Sequence, residues 1–325
     1  MLWIAGAKTA AKRPRTWAIG IEGAQIAVTA SRPPRGARTV DARGLTLVPA
    51  FIDAHVHLSV AGEPGAIARE QARRGVAAVL DLGAAERRLP LDHPPLRVRF
   101  SGPLLTARGG YPTRSWGKSG EGLEISSAAD ARSAVRRLAK SGASFVKLAF
   151  DSRFPLLALD VARAAADEAH ALGLRVAAHA LERETVRLAL DAGADVLAHT
   201  PRDPLPDDLL RRLENKWVIS TLRAFGVPAA RLRALAEAGA RIAYGTDLGN
   251  EGTRPGIDAG ELALVAEAGV DPVAAATSAA AALLAFADLG NLEVGSRASL
   301  LAVRSLSPQS LADPEWVMID GKMAE

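Results

Sequence analysis

From Leu47 onward the chain keeps one rhythm, a short β-like run followed by a longer helical one, eight times over. The β-like runs are "LVPAFIDAHVH" (Leu47–His57), "VAAVLDLG" (Val76–Gly83), "LRVRFSG" (Leu96–Gly102), "FVKLAF" (Phe145–Phe150), "LRVAAHA" (Leu174–Ala180), "DVLAHT" (Asp195–Thr200), "KWVIST" (Lys216–Thr221) and "RIAYGTD" (Arg241–Asp247). Between them "SAADARSAVRRLAKSGA", "LALDVARAAADEAHALG", "LERETVRLALDAG" and "PAARLRALAEAGA" read as helices that stop at glycine. Eight β-then-α units predict an α/β chain folded as a (β/α)8 TIM barrel. A doubly wound open sheet is the rival, but the Gly-rich phosphate turn expected after its first strand is missing.

The two ends break the rhythm. Residues 1–48 and 289–325 hold short β-like pieces such as "TWAIGIEGAQIAV", "LEVGSRASLLAV" and "EWVMIDGKM", with no long helix. They predict a small β-sandwich domain built from both termini, flanking a barrel domain over residues 49–288. A length of 325 residues and 49% hydrophobic content suffice for a large core.

Composition removes several functions. With no cysteine there is neither a disulfide nor a thiolate metal site. The net charge of +4 is spread among acids. Its one basic cluster, "SRPPRGAR" (Ser31–Arg38), reads as a solvated Pro-rich loop, so no nucleic-acid partner is expected. The opening "MLWIAGAKTAAKRPRTW" lacks the charged-then-apolar order of a signal peptide, and the apolar run Val273–Ala287 is too short to span a bilayer. The expectation is a cytoplasmic enzyme with no membrane partner and a small-molecule substrate; a homo-oligomer is compatible with it.

Four of the six histidines fall at the carboxyl ends of expected barrel strands, the face where such barrels carry their active sites. His55 and His57 end the first strand, His179 the fifth and His199 the sixth, and Asp247 ends the eighth. Alternation turns His55 and His57 the same way, as two ligands of one ion require. Neutral imidazole and carboxylate suit zinc and other divalent ions. Lys147 is the odd residue, a cation inside the apolar run "ASFVKLAFD". A buried lysine readily loses its proton. The free amine can then add carbon dioxide, giving a carbamate with two oxygens able to bridge two metals.

"FIDAHVHL", "FVKLAF", "VAAHA", "VLAHT" and "YGTD" together resemble the amidohydrolase superfamily, in its prolidase and imidazolonepropionase-like branch, and the resemblance runs nearly end to end. It implies that His55, His57 and Asp247 hold a first divalent metal and His179 and His199 a second, zinc being the first choice. Carboxylated Lys147 and a hydroxide would be shared between the two. It also implies that Asp247 moves the proton from the attacking hydroxide to the leaving group, with His199 counted beside it in catalysis. The expected activity is hydrolysis of an amide or peptide bond in a dipeptide or N-acyl amino acid. A mononuclear deaminase or cyclic-amide hydrolase is the alternative, using Glu182 of "HALE" as a proton shuttle. A lactone or ester hydrolase also suits such a site. A non-catalytic binding protein would be marked by a missing ligand, and none is missing.

The third strand leads into "SGPLLTARGGYPTRSWGKSG", read as a long loop at the active face. Similar enzymes often have "GGH" where this chain has Gly109, Gly110 and Tyr111, so Tyr111 is a candidate substrate contact. Arg114, Arg153, Arg202 and Arg223 follow the third, fourth, sixth and seventh strands. Each is a candidate for a bidentate grip on a substrate carboxylate.

Overall fold

The structure is a computed structural model that describes residues 1–9 and 16–324. Residues 10–15 of the amino-terminal stretch read above for a signal peptide, and the last residue of the carboxyl-terminal segment, lie outside them.

Five strands open the chain: β1 (Leu2–Thr9), β2 (Thr16–Glu22), β3 (Gln25–Ala30), β4 (Thr39–Asp41) and β5 (Thr46–Pro49). After the single residue Ala50 comes β6 (Phe51–Val56), then β7 (Val76–Asp81) and β8 (Arg97–Phe100), which form a three-stranded parallel sheet. The remaining central strands are β9 (Leu104–Thr106), β10 (Gly122–Glu124), β11 (Phe145–Ala149), β12 (Arg175–His179), β13 (Val196–Leu197), β14 (Trp217–Ile219) and β15 (Arg241–Ala243). They form a second parallel sheet in the order β10-β9-β11-β12-β13-β14-β15.

The fold is thus mixed α/β with parallel sheets. Every residue of β6, β7 and β11 is buried. That is why these strands read as apolar runs rather than alternating ones: helices cover one face and side chains fill the other. The helices bury a stripe. In Ala128–Lys140 it is Ala131, Ala134, Val135 and Leu138, spaced at i, i+3, i+4 and i+7, and the Ser127 hydroxyl caps the start by accepting from the Asp130 N–H at 3.1 Å.

The strand ladders leave the two parallel sheets separate. Individual backbone bonds cross the gaps. Ala54 N–H donates to Tyr244 O at 2.9 Å and Asp247 N–H to His55 O at 2.9 Å, which ties β6 to the segment after β15; Ser144 N–H donates to Phe100 O at 3.0 Å, which ties β8 to the start of β11. The segment read as one long loop after the third strand contains β9 and β10. Their three-residue pairing is shorter than a periodicity argument resolves.

Three strands close the chain: β16 (Leu300–Val303), β17 (Trp316–Ile319) and β18 (Lys322–Met323). They join the amino-terminal strands in one eight-stranded sheet, ordered β18-β17-β16-β5-β1-β2-β3 with β4 on β1. The sheet curls until β3 meets the segment before β16, where Ile26 N–H donates to Ser296 O at 2.9 Å and Gly295 N–H to Ile26 O at 2.9 Å. Ile4, Ile19, Ile26, Leu47, Leu300 and Met318 pack inside it as a core separate from the larger one around the parallel sheets.

Candidate metal centre

His55 and His57 lie at the end of β6 and just beyond it, Lys147 in β11, His179 at the end of β12, His199 two residues past β13, and Asp247 four residues past β15. All six side chains are buried. His55 Nε2 is 3.3 Å from His57 Nε2 and 3.2 Å from Asp247 Oδ1, and His57 Nε2 is 3.3 Å from the same oxygen. Among the described residues these three form a group whose ligand atoms all lie within 4.8 Å of one another. His179 Nδ1 and His199 Nε2 are 2.9 Å apart. The His55 and His199 rings stack at 4.6 Å, which joins the two groups.

The local structure fixes ring orientation. His55 Nδ1 lies 2.8 Å from Ala198 O and can only donate to it, so Nε2 is left with its lone pair. His199 Nδ1 lies 3.1 Å from Thr221 Oγ1. Asp247 and Thr221 both adopt left-handed backbone conformations, at φ 56° and φ 42°, in which non-glycine residues are uncommon. Close packing matters at two glycines. A Cβ at Gly83 would stand 2.4 Å from His57 Nδ1, and one at Gly245 would stand 3.1 Å from His55 Cβ.

Burial dominates the electrostatics. It pushes the His55 and His199 imidazoles well below their ordinary value, and His179 down as well, with the Lys147 charge adding to the effect. It pushes the Lys147 amine down to about 7, with Asp247 opposing the shift. Burial works against the Asp247 charge too, but His55, His57 and Lys147 around it outweigh that and hold the carboxyl below its usual range. Burial therefore favours the neutral form of the three imidazoles and of the amine, while Asp247 keeps its charge.

Four atoms of this group are buried with no hydrogen-bond partner: His57 Nδ1, Lys147 Nζ, His179 Nε2 and Asp247 Oδ1. Orphaned polar atoms are rare and costly in a folded interior. Gathered as His55 Nε2, His57 Nε2 and Asp247 Oδ1 are, nitrogen and carboxylate donors give the ligand chemistry of a divalent cation. The residues present fit such an ion.

The surroundings include residues that the sequence did not single out. Trp116 lies on the His57 ring at 4.7 Å, and its Nε1–H donates to the Tyr111 hydroxyl at 2.7 Å. Tyr111 stacks on His179 at 4.6 Å, Phe225 meets His199 at 4.5 Å, and Phe154 meets Tyr111 at 5.7 Å. Burial pushes the Tyr111 phenol above its ordinary value. Asp81 accepts from Leu58 N–H at 2.9 Å and Gly83 N–H at 3.0 Å, just behind His57. Asp53, fully buried, bonds to both segments that carry the three-residue group. Its position two residues before His55 puts it on the same strand face, the one signal that alternation offered.

The rim arginines differ from one another. The Arg153 fork is bidentate on Asp151 at 2.7 and 2.9 Å, and Asp151 Oδ2 lies 3.8 Å from His179 Nε2. Arg202 sits over the Phe225 ring at 5.5 Å. Arg223 pairs with Asp258, and its backbone N–H donates to Glu261 at 2.8 Å. Arg114 is exposed and lies beside Gly109, away from the histidines' contacts. Glu182 is the N-cap of the helix Arg183–Asp191, where Thr185 Oγ1 donates to its carboxylate at 3.1 Å.

No protein-family model matches the chain. Uncharacterized proteins of Mycobacterium tuberculosis (strain ATCC 25618 / H37Rv) and Mycobacterium bovis (strain ATCC BAA-935 / AF2122/97) are each 32% identical to it over 186 residues, covering 52% of this chain and 48% of the relative. The match thus spans about half the length of those curated relatives. Among solved structures the chain is similar to a Xaa-Pro dipeptidase with bound methionine in the active site (TM-score 0.84, 20% identity, 100% of this chain and 99% of that one). It is also similar to a prolidase complexed with N-methylphosphonate-L-proline (TM-score 0.80, 22% identity, 100% and 99%) and to phenylurea hydrolase B (TM-score 0.80, 19% identity, 100% and 96%). The chain shares its fold with these hydrolase structures over its whole length.

Proposed function

We propose that this chain is a metal-dependent hydrolase of an amide or peptide bond, with a dipeptide or an N-acyl amino acid as the substrate type. The observation that carries the reading is the buried cluster of His55 Nε2, His57 Nε2 and Asp247 Oδ1 within 4.8 Å of one another, together with the buried, unpartnered Lys147 Nζ. On this reading the two parallel sheets are the wall of a (β/α)8 barrel over residues 49–288, and the eight-stranded sheet is a terminal domain of residues 1–48 and 289–325. His55, His57 and Asp247 would hold one divalent ion and His179 and His199 a second. Lys147 would lie between them, its amine having added carbon dioxide and lost a proton to become a carbamate. Bound there, such ions acidify water and polarise a carbonyl.

The chain's own residues do the rest. Asp247, ionised at neutral pH, takes the proton of the water that adds to the carbonyl carbon and delivers it to the leaving nitrogen; the C–N bond breaks to give a carboxylic acid and an amine. His199 is held by Thr221 so that its Nε2 faces His179 Nδ1. Trp116, Tyr111, Phe154 and Phe225 exclude water above the histidines, which strengthens every charge interaction beneath them. Tyr111 would donate its hydroxyl proton to substrate. Of the rim arginines, Arg202 and Arg114 have no carboxylate partner among the described salt bridges, while Arg153 and Arg223 would have to exchange Asp151 and Asp258 for a substrate carboxylate. The deaminase reading loses support, because Glu182 caps its helix.

The test is zinc-loaded enzyme against dipeptides, N-acyl amino acids and lactones, with metal counted per chain. Two equivalents and chelator-sensitive cleavage of an amide are expected. One equivalent with ammonia release would favour the deaminase, and turnover of lactones alone the esterase. A protein that binds no divalent ion would overturn the proposal.

A further inference from the structure

We infer that Asp53 is a positioning residue that sets the spacing of His55, His57 and Asp247 and thereby the affinity for a divalent cation; this rests on reading those three side chains as ligands. Asp53 is wholly buried. Its Oδ1 accepts from His55 N–H at 3.1 Å and from Thr246 N–H at 3.0 Å, and its Oδ2 accepts from Thr246 Oγ1–H at 2.5 Å. Both oxygens are thus taken by protein donors, so Asp53 is not a ligand itself. Thr246 Oγ1 in turn accepts from Leu248 N–H at 3.1 Å, and Leu248 O accepts from His57 N–H at 2.7 Å.

These bonds form a ring: Asp53 to Thr246, Thr246 to Leu248, Leu248 to His57, and back along β6. Asp247 lies inside it. Its neighbours on both sides are tied down, its own N–H donates to His55 O at 2.9 Å, and its backbone stands at φ 56°, a conformation that persists only where the surroundings over-determine it. The three ligand atoms lie within 4.8 Å of one another. Asp53 touches both segments, through His55 N–H on its own strand and through the Thr246 N–H and hydroxyl on the other. Supporting groups of this kind orient ligands and tune metal affinity.

The experiment is zinc titration of the metal-stripped 325-residue chain against a chromophoric chelator, with thermal unfolding of the same metal-free samples. Asp53→Asn keeps one acceptor but turns an amide toward the Thr246 hydroxyl. Thr246→Val breaks the same link from the other side, and Thr246→Ser restores it. For Asp53→Asn and Thr246→Val the tighter class of zinc should weaken about 10- to 100-fold with the second equivalent unchanged, while Thr246→Ser binds as the parent does. If both variants unfold at lower temperature yet titrate like the parent, weaken both equivalents alike, or fail to fold, the role is structural and the inference is overturned. If the parent itself takes up no zinc, the ligand reading fails first and carries the inference down with it.

Discussion

The two halves of the candidate centre are built by different means. His55 and His57 come from β6 and Asp247 from the segment after β15, 190 residues or so apart in the chain, and a ring of hydrogen bonds around Asp53 locks them. His179 and His199 come from neighbouring strands, with no carboxylate within hydrogen-bond distance; Asp151 stands 3.8 Å away. That half is held by aromatic stacking and by Thr221. Directional bonds define positions to tenths of an ångström, whereas ring packing tolerates sliding. The first half is therefore the rigid, preorganised one, and the second is the adjustable one.

Removing Asp247 should have the largest effect. Asp247→Asn strips the rigid half of its only charge and, on the proposed mechanism, removes the proton carrier, so kcat should fall by at least about 10²–10⁴. His179→Asn should cost less in affinity for the first ion and more for the second. Equal losses in a two-site metal titration would erase the distinction between halves.

Lys147→Met comes next. With a folded value near 7 and an ordinary value of 10.5, the unfolded chain binds more protons over that window. Stability of the metal-free parent should therefore rise with pH between about 7 and 10, by up to about 1.4 kcal/mol per pH unit, and fall as pH drops through 7. Chemical denaturation across that range should show the slope in the parent and its loss in Lys147→Met. A flat parent profile would mean that Lys147 is not desolvated.

A smaller effect belongs to Glu261, whose carboxylate accepts from Leu222 N–H at 3.0 Å and Arg223 N–H at 2.8 Å, next to Thr221 in the adjustable half. Burial pushes it up to about 7 from 4.5. For a raised carboxyl the sign is opposite to that of Lys147: its contribution is complete below pH 4.5 and fades as pH rises through 7. Glu261→Gln should lose about 1–2 kcal/mol from the poorer acceptor and should not show that decline in denaturation curves. The smallest effect is Tyr111→Phe, which removes one hydrogen bond from Trp116, worth about 1 kcal/mol, and should raise KM several-fold with little change in unfolding temperature.

The sequence exposed the parts that depend on periodicity. Residues 55 and 57 share a strand face, and a lysine inside an apolar run signals a desolvated amine; both are local facts. The eight repeats gave the parallel succession β11-β12-β13-β14-β15 but not β9 and β10, which pair where a loop was read. What stayed hidden depends on contacts between distant residues. Trp116 reaches His57 across 59 positions, and Phe225 reaches His199 from a four-residue helix, Leu222–Phe225, too short to carry a pattern. The arginines illustrate the converse. Their places after strands were legible, but whether a guanidinium is free depends on Asp151 and Asp258, which only the fold brings near. Asp53 lay between these cases, legible as a face but not as a link to Thr246.

The eight-stranded sheet bears on when the rigid half can form. β5 leads into β6, and so into His55, through one residue, and β5 pairs along its length with β16, from Pro49 on Leu300 to Thr46 on Val303. Ala50 N–H also donates to Ser299 O at 2.9 Å. During synthesis β6 emerges with its lead-in edge bare, and the partner arrives some 250 residues later. Chaperones and proteases would meet an exposed edge throughout that interval, so a chain halted before Leu300 would have all six histidines and no firmly seated cradle for them.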